Sequence, residues 1–325
     1  MKTNAKTRVG TPLLHHFTPL RYPGGKGKLA SFVKAVIKEN DLFDGEYVEP
    51  YAGGAAVGLE LLFHDYVTAI HINDLSRPVF AFWSSVLNDT DRLCKLVKDT
   101  PLTIREWDRQ RFIFANASRY GDLRLGFATF FLNRTNRSGI LNGGAIGGRD
   151  QAGPWKIDAR FNRVGLIERI ESIAKMRKRI SLTSMDACAF LRSRVSEWPH
   201  KTLVYLDPPY FVKGRDLYYD YYQPHDHALV ATEVARTLSS KHWIVSYDNV
   251  PTVRTLYRPY QQIVYRIGYS ARDSREGTEI MFFSDSLKVP KLVGPFSLVR
   301  SLPRSASRHR VAQPKSKRAT NSKTG

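Results

Sequence analysis

The chain has 325 residues, with 50 Lys and Arg against 30 Asp and Glu, for a formal net charge of +20. A hydrophobic share of 42% with 12% aromatics can bury a sizeable core, which excludes a disordered chain. No run approaches the ~18 to 20 apolar residues of a membrane span, and the opening MKTNAKTRVGTPLLHHF lacks the apolar stretch of a signal peptide, so the expected compartment is the cytoplasm.

In chain order, residues 1–18 read as a basic arm, and residues 1–38 as a whole hold eight Lys and Arg and no acid. A β-branched, apolar run from Glu46 to Tyr51 predicts a buried strand, followed by a glycine turn and a helical pattern over Ala55 to Phe63. A second strand is predicted over Thr68 to Asp74. More than a hundred residues separate it from the third, Ile180 to Asp186, which is too many for one crossover. A mainly helical subdomain over 101–179 is therefore expected as an insert. It carries most of the basic excess of residues 101–200, where eighteen Lys and Arg face nine acids, whereas residues 39–100 hold four against eleven.

A fourth strand is predicted over Thr202 to Asp207, a helix over His225 to Leu238, a fifth strand over Trp243 to Asp248, and a closing hairpin from Gln261 to Ile267 and Glu279 to Ser284. Strands alternating with helices predict a doubly wound, mostly parallel α/β sheet formed by residues 19–100 and 180–285. Residues 286–325 hold ten Lys and Arg and no acid, and mix Ser and Pro without apolar period, so they read as a disordered tail that either only solvates the chain or attracts nucleic-acid phosphates. Cys94 and Cys188 sit in no metal-ligand spacing, so both are expected to be reduced and structural, with no metal site.

Open parallel sheets bind ligands beyond the carboxyl ends of their strands. There the first strand meets Glu49-Pro50-Tyr51-Ala52-Gly53-Gly54-Ala55, whose glycines permit a tight turn and close approach to a ligand. Asp74 follows ~20 residues on, where nucleotide-binding sheets place an acid for the ribose hydroxyls; a turn Asp or an N-cap reads equally from the sequence. Asp186 suits either a helix cap or an acceptor for an amino group such as adenine's. The fourth strand ends Asp207-Pro208-Pro209-Tyr210. Two prolines remove two amide donors and leave carbonyls beside a carboxylate and an aromatic face, a set suited to gripping a planar amine.

With these motifs in order, behind Tyr22-Pro23-Gly24-Gly25-Lys26, the chain resembles the Dam-type DNA adenine N6-methyltransferases from Pro19 to about Ser284. The resemblance implies a Rossmann-like methyltransferase fold, S-adenosylmethionine as cofactor, no metal, and double-stranded DNA as partner. It implies cofactor contacts at Tyr22, Lys26, Glu49, Tyr51, Gly53, Gly54, Asp74, Asp186 and Asp207, and a catalytic tetrapeptide at Asp207, Pro208, Pro209 and Tyr210. Tyr22 and Pro23 replace the family's commoner Trp and Ala.

Within the insert, Asn133-Arg134-Thr135-Asn136-Arg137-Ser138-Gly139 resembles a family segment in which Phe and Asn stand where Arg137 and Ser138 do. Asn133, Arg134 and Arg137 are read as DNA contacts, with bracing of the insert an equal alternative for the first two. The glycine-rich loop from Gly143 to Arg149 is expected to order on DNA, and Arg149, Lys156, Arg160 and Arg163 suit phosphate or base-edge contacts. A methyltransferase acting on cytosine N4, RNA or a protein amide is the first alternative, and a non-catalytic DNA-binding regulator the second. A P-loop NTPase is discounted because no Ser or Thr follows Lys26 or Lys28. A monomer is expected, with a cognate restriction endonuclease system a possible partner.

Overall fold

The computed structural model describes residues 17–21, 26–211, 222–267, 278–291 and 296–302. Eight strands form one sheet in the order β3-β2-β1-β4-β5-β7-β6-β8. The strands are β1 (Gly45–Glu49), β2 (Val67–Asn73), β3 (Ile180–Thr183), β4 (Leu203–Leu206), β5 (His242–Asp248), β6 (Gln261–Ile267), β7 (Glu279–Phe283) and β8 (Phe296–Leu302). The first five run parallel, while β7 enters antiparallel between β5 and β6. This is the Rossmann-like, mostly parallel α/β sheet that the sequence predicts. The strand ends differ from prediction at Pro50, which has no amide to give a ladder, so β1 stops at Glu49.

Successive residues of the parallel strands face opposite ways. Tyr47, Tyr205 and Ile244 point into one apolar cluster, while Val48, Val204, Leu206, Trp243 and Val245 point into another. The first cluster takes in α1 (Ala30–Glu39), α2 (Ala56–Phe63), α3 (Arg77–Asn88), α4 (Thr90–Asp99), α5 (Ile104–Ala115), α6 (Asp122–Thr135) and α7 (Arg163–Lys175). The second is covered by α8 (Ala187–Arg194), α9 (Pro224–Thr237) and α10 (Pro251–Leu256).

The insert has no core of its own. Its central helix α6 is buried from Leu125 to Asn133 and lies so close to α3 that a Cβ at Gly126 would sit 2.4 Å from the Ala81 carbonyl. Phe130 stacks on Phe82 of α3, with ring centroids 5.8 Å apart. The insert is thereby packed tightly onto the helices that cover the sheet.

The tail needs correcting. Residues 296–302, assigned above to a disordered segment, form β8 and pair with β6 from Gln262↔Leu302 to Ile267↔Phe296. The short Phe-Ser-Leu-Val-Arg-Ser-Leu run was hidden by its basic surroundings, and an open β6 edge supplies the unpaired backbone groups that hold it. The glycine loop is held by its own hydrogen bonds. Arg137 N donates to Gly144 O at 3.0 Å and Ile146 N to Thr135 O at 2.9 Å. Gln151 Nε2 then ties the Ile146 and Gly148 carbonyls at 2.8 and 2.6 Å.

Candidate active site at the strand ends

The sheet reverses direction of growth between β1 and β4, and the strand ends there define the ligand crevice. After β1 the chain turns through Gly53 at φ 47° and Ala55 at φ 46°. The left-handed conformation costs a non-glycine residue roughly 1–2 kcal/mol, so Ala55 stores strain at the turn that opens α2. Three bonds hold that turn from outside. Asp74 Oδ2 accepts from Gly53 N at 2.8 Å, Trp83 Nε1 donates to Gly53 O at 2.8 Å, and Thr18 Oγ1 donates to Gly54 O at 2.6 Å. Asp74 Oδ1 also accepts from Ser76 N at 2.9 Å.

Asn73, which the motif reading passed over, is fully buried and ties three strand ends together. Its Nδ2 donates to the Pro50 and Met185 carbonyls, both at 3.0 Å, and its Oδ1 accepts from Thr183 Oγ1 and Met185 N at 2.8 and 3.0 Å. A fully polar side chain at the end of an apolar strand was the signal that could have found it. Asp186 caps α8, with Oδ1 accepting from Ala189 N at 2.9 Å, so the capping alternative is realised.

Glu49 is 5% exposed. Its Oε1 accepts from Tyr47 OH at 3.1 Å and Gly58 N at 3.2 Å, while Oε2 has no partner. Burial, with a further push from nearby Asp207 against those two hydrogen bonds, raises its carboxyl to about 8. Tyr51 sits beside it with its hydroxyl 3.2 Å from that of Tyr222. Tyr222 and Phe211 both flank His227, a buried imidazole whose ionisation burial lowers and whose Nε2 has no partner.

At the end of β4, Asp207 Oδ1 accepts from Ser246 Oγ at 2.7 Å, and Ser246 Oγ lies 2.8 Å from Tyr205 OH. Tyr210 donates to Glu279 Oε1 at 2.9 Å, and Tyr265 donates to the other oxygen at 2.8 Å. Phe211 N reaches Asp248 Oδ1 at 2.8 Å. The Asp-Pro-Pro-Tyr turn is thus tied to β5 and β7. Tyr210 is itself 8% exposed, so its face is covered rather than open as the sequence suggested. Ser246 and Glu279 were missed because each lies in a mainly apolar strand far in sequence from its partner. Tyr22 lies outside the described residues, as does the side chain of Lys26.

The residues read as DNA contacts divide. Asn133 is 1% exposed and spends its amide on Arg21 N, Arg21 O and Gly139 O at 2.7, 2.7 and 3.0 Å, so it braces the insert and does not face a ligand. Arg163 likewise braces, donating to the Val97 and Thr100 carbonyls. Arg134 donates to the Arg160 carbonyl at 2.9 Å. Arg149 is exposed but clamped by Asp108 at 2.7 and 2.8 Å, and Lys156 donates to the Gln151 carbonyl. Arg137 and Arg160 have exposed side chains. Cys94 and Cys188 are free thiols, each raised to about 11 mainly by burial, which makes them poor nucleophiles.

A mostly parallel sheet carrying a glycine turn, strand-end acids and an Asp-Pro-Pro-Tyr turn is a Rossmann-like fold of the methyltransferase type. The chain belongs to the D12 class N6 adenine-specific DNA methyltransferase family, whose model matches residues 22–268. It is an adenine-specific DNA methyltransferase, and DNA is its substrate. The type II methyltransferase M.MjaIII of Methanocaldococcus jannaschii is 24% identical over 206 residues, which cover 59% of this chain and 68% of the relative. Two solved structures align more loosely. The Escherichia coli protein yhhF is 10% identical at TM-score 0.31, covering 81% of this chain and 88% of its own, and a Legionella pneumophila protein is 9% identical at 0.32, covering 81% and 86%. The fold assignment rests on the strand order itself and not on these two.

Proposed function

We propose that this enzyme transfers the methyl group of S-adenosylmethionine to the exocyclic N6 of a specific adenine in duplex DNA, after the base is flipped out of the helix. The observation that carries this reading is the support of Asp207 by Ser246 and Tyr205, beside prolines that contribute carbonyls and no amides. Adenine's amino lone pair is delocalised into the ring and is a poor nucleophile. Asp207 and the Pro208 carbonyl accept its two hydrogens, which localises the pair and aims it. A carboxylate offers about four acceptor sites, and Ser246 takes one. Positioning of this kind can supply several orders of magnitude in rate. Asp207 is then the first acceptor of the proton that leaves N6.

S-adenosylmethionine would supply an electrophilic methyl on a sulfonium centre. The chain's donor set fits such a ligand: the orphaned Glu49 Oε2, the Asp74 carboxylate and Asp186 are acceptors for a cationic molecule rich in N–H and O–H groups. Tyr51, Gly53, Gly54, Tyr22 and Lys26 would complete the cofactor site, and Pro209 stiffens the turn. Flipping costs a few kcal/mol, and stacking on Tyr210, worth about 1–3 kcal/mol per base, offsets part of it. Because the Tyr210 ring is covered, entry of the base has to uncover it, while the Glu279 bond anchors its hydroxyl.

Residues 19–100 and 180–302 would form the cofactor lobe and 101–179 the target-reading part, with Arg137, Arg149, Lys156 and Arg160 toward DNA. The chain would act as a cytoplasmic monomer. The type II label of the Methanocaldococcus jannaschii relative favours pairing with a cognate restriction endonuclease. Among the described residues no helix is long and apolar enough to cross a membrane, and no acid, His or Cys cluster could hold a metal. The test is to express the chain and read methylated positions in the extracted plasmid. N6-methyladenine at one recurring sequence supports the reading, whereas N4-methylcytosine or unmodified DNA overturns it.

A further inference from the structure

Four arginines gather around the peptide Thr18–Arg21 without a counter-charge. Arg134 Nη1 donates to the Pro19 carbonyl at 3.5 Å, Arg169 Nη1 donates to the Thr18 carbonyl at 3.4 Å, and Arg134 Nε holds the Arg160 carbonyl. Arg21 is pinned into the group by both its backbone groups through Asn133. None of the four forms an ion pair with an acid among the described residues, and the charge of Glu168, the chain neighbour of Arg169, acts on Arg169 without an ion pair. The other cations suggested for DNA are differently placed: Arg149 is already neutralised by Asp108.

This arrangement is costly as it stands. Burial first, and then the charges of Arg21, Arg169 and Arg160, push the Arg134 guanidinium down to about 10. Arg21 is lowered by burial and by Arg160. The Nε of Arg169 is buried with no hydrogen-bond partner, although the great majority of buried polar atoms in folded proteins are paired. Like charges held together with an unspent buried donor are a site for an oxyanion. The exposed Arg160 side chain opens it to the surface, so the anion arrives from outside the molecule. A duplex offers one charge per ~1.7 Å of axis, which suits several guanidiniums side by side better than a single carboxylate does.

We propose that Arg21, Arg134, Arg160 and Arg169 form a clamp for the phosphate backbone of the DNA substrate. The clamp lies one residue from the bond between Thr18 and the Gly54 carbonyl, so a phosphate seated in it fixes the duplex against the glycine turn and the strand ends. This rests on the proposed duplex-DNA reading, and it adds Arg21 and Arg169, which the sequence does not single out.

The test uses the full chain with Arg160→Gln, Arg169→Gln and the double variant, and Arg169→Lys as a charge-keeping control. Affinity for a short duplex is measured across salt concentrations, cofactor affinity is measured without DNA, and melting is followed with and without inorganic phosphate. The clamp predicts a salt slope shallower by about 0.9 for each phosphate that a variant no longer neutralises, unchanged cofactor affinity, and a phosphate-induced rise in Tm that the double variant lacks. Arg169→Lys should keep most of the slope. An unchanged slope overturns the clamp, and so does weakened cofactor binding at an unchanged slope, which would assign the cluster to the cofactor carboxylate. The functional reading fails separately: altered slopes in a chain that makes no N6-methyladenine would refute the activity and leave the clamp standing.

Discussion

Replacing Glu49 by Gln should make the protein more stable and a poorer enzyme, and the gain should grow with pH. The carboxyl is 5% exposed, with one oxygen partnered twice and the other not at all. It titrates near 4.5 when unfolded and at about 8 in the fold, so between those values the folded state holds the extra proton. Stability from this group is therefore complete below about pH 4.5 and falls as pH rises through 8. At pH 7 the gap is about 2.5 pH units, and at ~1.4 kcal/mol per unit the penalty is on the order of 3 kcal/mol. Glutamine keeps the acceptor for Tyr47 and Gly58 and has no charge to bury. With roughly 2–4 °C of Tm per kcal/mol, the variant should melt about 6–12 °C above the parent at pH 7 and within about 2 °C of it at pH 5. Thermal melts of both proteins across that range decide the matter. A Tm difference independent of pH, or a parent more stable at pH 8, would refute the reasoning. In the same variant, cofactor affinity should drop about tenfold, because an amide, unlike the carboxyl, cannot give up its proton to accept from the cofactor.

Ser246→Ala removes the hydroxyl that holds Asp207 and should lower kcat about 10- to 100-fold while cofactor affinity is unchanged; a rate loss matched by lost cofactor binding would contradict this. Asn73→Ala strands four buried or half-buried hydrogen-bonding groups at three strand ends, and denaturant unfolding should show a loss on the order of 3 kcal/mol. Truncation after Leu302 removes seven Lys and Arg and no acid, so nonspecific DNA binding and its salt slope should weaken while Tm and the methylated sequence stay the same. Truncation before Phe296 also removes β8 and should lower Tm by exposing the β6 edge.

The parallel strands were legible because each is a short apolar run ending in a polar or turn residue, and β1, β2, β4 and β5 lie within one or two residues of their predicted limits. The acids at their ends were legible as positions, and two of them serve the backbone: Asp186 caps a helix and Asp74 holds the glycine turn. What escaped were polar residues whose partners are distant in sequence. Asn73 finds Met185 across 112 positions, Tyr210 finds Glu279 across 69, and Ser246 finds Asp207 across 39. Residue types reveal such pairings only once the sheet order is fixed. Charge misled in both directions. The basic composition of residues 286–325 concealed β8, while Asn133 and Arg163, in a segment chosen for its charge, turned out to hold helices and loops together. A basic total says that an anion is attracted, and only burial and pairing say which cations remain to bind it.

The central claim is that Asp207 orients the amine of a flipped adenine while the cofactor is held elsewhere at the strand ends. Its most direct test is single-turnover transfer of a labelled methyl group from S-adenosylmethionine to duplex DNA by the parent and by Asp207→Ala, with cofactor affinity measured on both. The account predicts labelled N6-methyladenine from the parent, a loss of transfer of at least about a thousandfold in the variant at saturating cofactor, and retention of DNA binding by both. Transfer by Asp207→Ala at a rate near that of the parent would contradict it.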